Sequence, residues 1–423
     1  MATEKNPFEQ IPQEIKNIVQ IPNKVEDTDA TFEVEPDGGV VVDFTQTTIE
    51  MEAEEPTKEW YGNLVDTLDN EQLQEISSNI IDNYSADKDS RAEWESMFER
   101  GFDLLGLKIE DASEPFEGAC TAVHPMLIES AVKFQSKAIQ ELFPPNGPVK
   151  TKIIGKSTAE RELQSNRVKD FMNYQVTEQM PEYFDEFERM LFHLPLIGSA
   201  FKKVYYDANL KRPVSEFIPI DQFYVSYYAS NLRKADRYTH VIYRNPVDLA
   251  RDMRSGVYKE IDLPEATNPN PTSLSSKMDT ILGLSPTEDS DPQYTLLEQH
   301  CYLEIEEDYA LPYIITVEEQ SREILSIRRN YQKDDKKQQK ISHFVHYRFV
   351  PGFGFYGFGL MHFLGNLTMT ATAAMRSLVD AGQFANLPGG FKAKGVRLVG
   401  DNEPISPGEF KEIEATGVDL SKA

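Results

Sequence analysis

Cysteine is scarce in this chain. Cys120 and Cys301 are the only two in 423 residues, too few for a disulfide framework or a cysteine-built zinc site. Each is expected as a buried thiol in a reducing compartment. Positive charge is short as well: 43 Lys and Arg stand against 70 Asp and Glu, a formal net charge of −27. Phosphate binding needs clustered cations, so general nucleic-acid affinity is not expected. A surface that DNA passes without sticking is compatible with this balance. Long apolar runs are missing: no stretch of 18 apolar residues occurs, which removes a membrane-spanning helix. The opening MATEKNPFEQ carries neither the basic nor the apolar region of a secretory leader.

Chemistry-bearing motifs are also few. The seven histidines contain no His-Glu-x-x-His, and His343, His346 and His362 have no cysteine or paired acid at ligand spacing. Strand alternation would put His343 and His346 on opposite faces. No nucleophile–base pairing stands out. No catalytic residue, metal site or cofactor is expected, and the chain reads as a non-enzyme.

What is present is a globular composition, with 40% hydrophobic residues, 24 Phe and 19 Tyr, in a chain long enough for two or three domains. The charge is uneven. Residues 1–70 hold 17 acidic and 4 basic side chains, a net of −13. Residues 1–58 therefore read as an acidic mobile arm, with a short strand at Gly39-Val40-Val41-Val42.

Helical spacing runs from Trp60 to Tyr84 and again from Ser90 to Leu105, where Trp94, Phe98 and Phe102 share an apolar side and Trp94 reads as core. A loop from Pro115-Phe116-Glu117-Gly118 ends at His124-Pro125. The apolar stripe of Leu127, Ala131, Phe134, Ala138 and Leu142 follows. Residues 149–154 (VKTKII) read as a strand, then a long polar helix reaches Pro181, and Tyr183 to Leu194 is another helix. From Leu196 the period falls to two. Short strands are expected at 200–206, 214–218, 223–225 and 240–243, with turns at Asn209 and Asp221. A meander follows over 296–305, 313–317, 324–328 and 344–349. Residues 263–293 read as a surface loop or partly disordered insertion. The class is α+β: helices, a strand-rich middle, then one long helix.

That helix organises the rest. From Pro351 to Gly395 a glycine-aromatic turn is followed by about 27 residues free of proline and a Leu387-Pro388-Gly389-Gly390 stop. Leu360, Leu364, Leu367, Ala371, Ala374, Met375 and Leu378 recur at helical steps. Its other side carries only Arg376 and Asp380 as charges, among Asn366, Thr368, Thr370, Thr372 and Ser377. A helix facing bulk water usually carries more Lys and Glu. Small, uncharged flanks fit a rod packed on more than one side, in a bundle or a ring of identical subunits; a buried core helix is the alternative.

Two glycine motifs imitate nucleotide sites. Gly352, Gly354 and Gly357 match G-x-G-x-x-G between a strand and a helix, but Phe353, Phe355 and Tyr356 would crowd a pyrophosphate. The plain alternative is a tight aromatic turn packing the helix start on the sheet. Gly155-Lys156-Ser157-Thr158 resembles the end of a Walker A loop, yet Lys150 stands where its first glycine belongs. An N-cap by Ser157 with Glu160 is the plainer reading.

A set of motifs resembles tailed-bacteriophage portal (head-to-tail connector) proteins, closest to the P22-like podophage portals. It comprises Asp89-Ser90-Arg91 with Trp94, Leu104-Leu105-Gly106, Pro115-Phe116-Glu117-Gly118 and Leu142-Phe143-Pro144. It continues through Gly198-Ser199-Ala200-Phe201-Lys202, Pro219-Ile220-Asp221, Phe355-Tyr356-Gly357, Asp380-Ala381-Gly382, Ala385-Asn386-Leu387-Pro388-Gly389-Gly390 and Phe391-Lys392-Ala393-Lys394-Gly395. The resemblance covers roughly residues 60–423.

It implies a dodecameric ring at one capsid vertex, through which double-stranded DNA is packaged and ejected. Partners would be capsid and scaffolding proteins, the large terminase subunit and tail adaptors, and the location the virion, with assembly in the host cytoplasm. Residues 59–357 would form the wing, 358–386 a stem helix with Leu360 to Leu378 as its subunit-packing stripe, and 387–423 the start of the clip. There Lys392, Lys394 and Arg397 are candidates for terminase docking. Family chains continue into a second stem helix and a crown, so a truncated chain is expected. The alternatives are a nucleotide-binding enzyme using residues 352–357 and a non-portal head–tail adaptor.

Overall fold

The computed structural model describes residues 32–34, 40–42, 60–107, 119–207, 210–269, 272–284, 292–307, 309–386, 396–398 and 413–415. The chain divides into two compact units, Met1–Gly62 and Asn63–Ala423. Within the first, β1 (Phe32–Val34) pairs antiparallel with β2 (Val40–Val42), so the strand expected at the three valines is present.

The second unit is mixed α+β. Its described residues form eight α-helices, two antiparallel sheets of three and five strands, and a two-stranded pair. Helix α1 (Asn70–Ser90) and α2 (Ala92–Asp103) meet at a sharp break around Arg91. The helical spacing from Trp60 is only partly realised: Asn63 accepts Ile327 N–H at 3.0 Å and donates to Leu325 O at 2.9 Å. These bonds hold the backbone before α1 against a strand, and α1 starts at Asn70. Helix α3 (Met126–Leu142) buries Leu127 and Ala131 and packs Phe134 and Ala138 as the stripe predicts, while Leu142 at its end is exposed.

Residues 149–154 are not a strand. The Asn173 side chain takes both backbone groups of Val149, at 2.9 and 3.2 Å, so this segment is satisfied by a helix side chain and not by a ladder. Helix α4 (Ala159–Tyr174) continues into a π turn, Gln175–Gln179. Its cap is Thr158, accepting Arg161 N–H at 3.4 Å, one residue later than expected; Ser157 instead donates to Glu162 at 2.6 Å. Helix α5 (Glu182–Ile197) ends on left-handed Gly198.

The smaller sheet has the order β10 (Phe344–Arg348), β3 (Ser199–Asp207), β4 (Arg212–Ile218). The larger runs β5 (Phe223–Val225), β6 (Tyr238–Arg244), β7 (Tyr294–Leu303), β8 (Leu311–Glu318), β9 (Ile324–Arg329). The expected meander is therefore corrected at its end: β10 leaves it and pairs with β3, Phe344 opposite Lys203. Phe344 sits against Phe223 and Tyr238, ring centroids 4.9 and 5.5 Å away, and so seals the seam between the sheets.

Helix α6 (Pro246–Arg254) follows β6. Residues 263–293 are not wholly loop. Helix α7 (Ser273–Leu282), capped by Thr272, fully buries Leu274, which anchors it to the main core. Asn209 lies outside the described residues, and Asp221 sits in a 3-10 turn, Ile220–Gln222. Helix α8 (Leu360–Asn386) has the expected bounds. Past α8, β12 (Ile413–Ala415) pairs antiparallel with β11 (Val396–Leu398). Short segments holding Val396 and Ile413 suit a strand better than a nucleated helix.

Phe98, Leu127, Phe201 and Phe223 centre the main core, where α2, α3, the smaller sheet and the start of α8 converge. Each such fully buried side chain contributes about 1.5–3 kcal/mol. No helix among the described residues is long and apolar enough to cross a membrane.

Candidate assembly surface on the long helix

The glycine-aromatic turn before α8 is built by two backbones crossing. Gly198 has φ +99°, and a Cβ there would meet the backbone of residues 357–359. Ser199 Oγ accepts the Gly357 N–H at 2.8 Å, and Phe349 N–H donates to Gly198 O at 3.0 Å. Phe355 is buried and stacks on His346, whose other neighbour is Phe201, with centroids at 4.5 and 4.6 Å. Tyr356 stacks on Trp94 at 4.6 Å, so Trp94 packs as expected. The turn joins the helix start to β3 and α2.

The glycine spaces are largely filled by the chain itself. A Cβ at Gly352 would meet Tyr356 O at 2.8 Å, and one at Gly357 would fall on Gly198 O; only Gly354 is open. Phosphate-cradling glycines leave their free side to the ligand. Ser199 and His346, 3.2 Å apart, have the spacing of a nucleophile and base. Ser199 is buried, however, and burial pushes the His346 imidazole down to about 3, too weak a base for work near neutrality.

Helix α8 buries a different side from the one its apolar stripe predicts. Met361, Gly365, Thr368 and Thr372 face inward. At about 100° per residue this side lies roughly 100° from the Leu360–Leu364–Leu367–Ala371–Leu378 stripe. Gly101 allows the approach: a Cβ there would sit 2.6 Å from Met361 Sδ. Leu360 and Leu364 still pack on the main core, and Ala371 and Met375 are half-buried. Leu367 and Leu378 are 54% and 76% exposed, Ala374 is exposed, and Phe363 stands out on the adjoining side.

The polar side explains the inversion. Thr372, Arg376 and Asp380, four residues apart, form a row along the backbone of residues 120–124. Thr372 Oγ1 accepts His124 N–H at 3.0 Å. Arg376 donates to Ala122 O and Thr121 O at 2.9 and 2.8 Å. Asp380 accepts Cys120 N–H at 2.8 Å. Three turns of helix thus satisfy a strand-less segment. Beyond it an open groove of about 610 Å³ runs between Leu107, Cys120, Lys277, Met369 and Ser377. The second half of α8 is held on one side and open on the others.

Lys392 and Lys394 lie outside the described residues. Arg397 belongs to β11, opposite Glu414 in the register. Cys301 is buried, and burial pushes its thiol up to about 12; Cys120 is partly exposed. Among the described residues no group of three or more His, Cys, Asp or Glu could hold a metal ion.

A buried ionic cluster that no sequence motif signals lies between the two sheets. Lys203 of β3 meets Glu298 of β7 at 2.7 Å, and Glu298 meets His300 at 3.1 Å. His343 lies 5.8 Å from His300. Burial pushes the Glu298 carboxyl up, but Lys203 and His300 outweigh it and hold it well below the usual range. Burial pushes His300 down to about 4 and His240 to about 3. The cluster ties the sheets together with neutral imidazoles. No family model matches this chain, and no curated protein matches it.

Proposed function

We propose that the chain is a structural subunit of a phage portal-type ring, without catalysis. Copies stand side by side through helix α8, and double-stranded DNA is packaged and ejected through the channel they enclose. The observation that carries this reading is the apolar stripe on a helix anchored by the opposite kind of surface: Leu367, Ala374 and Leu378 are exposed while Thr368 and Thr372 are buried. A large exposed apolar face marks an interaction surface, and head-to-tail contacts between identical subunits close into rings. The motifs that resemble portal proteins support the same reading. In it the strand-rich body is the wing, α8 a stem helix, and residues from 387 onward the clip, where Lys392, Lys394 and Arg397 meet the terminase and later the tail adaptors. Capsid and scaffolding proteins are the further partners, and the portal vertex of the virion is the location.

The experiment is electron microscopy of the purified full chain at micromolar concentration. Rings with a central channel are expected; single compact particles at every concentration would overturn the reading. A smaller ring lacking terminase binding would favour a non-portal head–tail adaptor.

A further inference from the structure

Residues 150–179 form an arm that the other described residues leave largely uncovered. No side chain of α4 is buried. Leu163 is 65% exposed, Phe171 60%, and Val168, Met172 and Tyr174 about half. The helix is pinned along its length to the segment that leads into it, by Asn173 to Val149 and by Ser165 to Thr151 at 2.8 Å. Apolar side chains presented this way on a 16-residue helix are unfavourable for a free monomer and need a cover.

A second apolar platform lies at the start of α8. Phe353 is wholly exposed, and its ring meets Phe358 at 5.7 Å. Phe358 meets Phe363 at 6.2 Å, and Leu367 stands one turn further along the helix.

Charge selects between the ways two copies could join. The arm holds six basic side chains (Lys150, Lys152, Lys156, Arg161, Arg167, Lys169) and four acidic (Glu160, Glu162, Asp170, Glu178), a net of +2 in a chain of −27. The remainder therefore carries −29. Arm against arm and body against body both repel, and arm against body attracts. A ring needs this asymmetry, because each subunit must offer two different faces.

We propose that the arm of one copy seats Leu163, Phe171 and Tyr174 on the Phe353–Phe358–Phe363–Leu367 platform of the next copy. This rests on the ring reading and names the contact between neighbours. The far half of α8, around Leu378, is left to meet the neighbouring α8.

The test uses two variants of the full chain, Leu163→Asp/Phe171→Asp on the arm and Phe363→Asp/Leu367→Asp on the platform. All four positions are more than half exposed, so thermal unfolding of the single chain should stay within about 2 °C of the parent. Each variant alone should lose ring formation. Mixed, they retain one intact arm and one intact platform, and a complex of twice the 48.2 kDa chain should form. Rings from the arm variant, or a mixture that stays single, would overturn the arm contact while leaving the ring reading in place. A parent chain that never assembles overturns both.

Discussion

The carboxylate of Asp380 accepts the backbone N–H of Cys120 at 2.8 Å, across 260 positions of sequence. With Arg376 and Thr372 it makes the long helix hold a loop backbone on its polar side, so that side cannot face a neighbour. Leu367, Ala374 and Leu378 of the apolar stripe are left outside. The helix is amphipathic in the expected sense, but its polar row is the one bound inward.

Breaking that row should loosen the loop without touching the core. Hydrogen bonds to charged groups contribute about 1.5–3 kcal/mol each. Arg376→Ala and Asp380→Ala should each lower unfolding stability by about 1–3 kcal/mol in urea titration. Hydrogen exchange should speed up at Cys120 in the Asp380 variant and not in the Arg376 variant.

The crossing of Gly198 with residues 357–359 leaves no room for a side chain. Gly198→Ala adds a Cβ at φ +99° against backbone and should destabilise by more than about 3 kcal/mol. Gly354→Ala meets nothing within 4 Å and should be neutral. If Gly354→Ala removed a measurable nucleotide affinity, the enzyme reading would gain and the structural role of the turn would fall.

Acid should weaken the seam between the sheets. His300 and His240 are held at about 4 and 3 from an ordinary 6.5, so the unfolded chain binds more protons as pH falls below 6.5. The stability these groups contribute is fully present above pH 6.5 and is lost as pH drops through 4 and 3. Glu298, also depressed, acts in the same direction below its ordinary 4.5. Around them stand Lys203 on β3, His343 before β10, and Arg244 on β6. Urea unfolding should show a loss on the order of 2–4 kcal/mol between pH 7 and pH 4. The loss should shrink in His240→Gln.

Much of this architecture was legible because the signals were strong and local. Proline-free spacing bounded by glycine and Pro-Gly-Gly gave α8 its ends, and alternation gave most strands of both sheets. The strand expected over 149–154 was misread because periodicity shows no partners: Asn173, a helix residue, took the place of a neighbouring strand. Residues 344–348 were assigned to the wrong sheet for the same reason, since pairing with β3 is a long-range choice. The buried side of α8 was missed although a signal existed. Its two charges, Arg376 and Asp380, stand four apart and continue a row from Thr372, the spacing of groups aligned on one side of a helix. The Lys203–Glu298–His300 cluster had no signal at all, being assembled from separated strands.

Leu364 and Leu367 should separate folding from assembly. Leu364 packs on the main core, so Leu364→Asp buries a charge and should destabilise the chain by several kcal/mol, on the order of 3–5. Leu367→Asp should leave unfolding within about 0.5 kcal/mol.

The most direct measurement is the mass of the full chain in solution, by sedimentation at micromolar concentration, beside a Leu367→Asp/Leu378→Asp variant. The parent should sediment as a closed assembly of many copies, and the variant as a single 48.2 kDa chain with unchanged unfolding. A parent that sediments singly, or a variant that assembles as the parent does, would contradict the claim that the exposed side of α8 is covered by another copy.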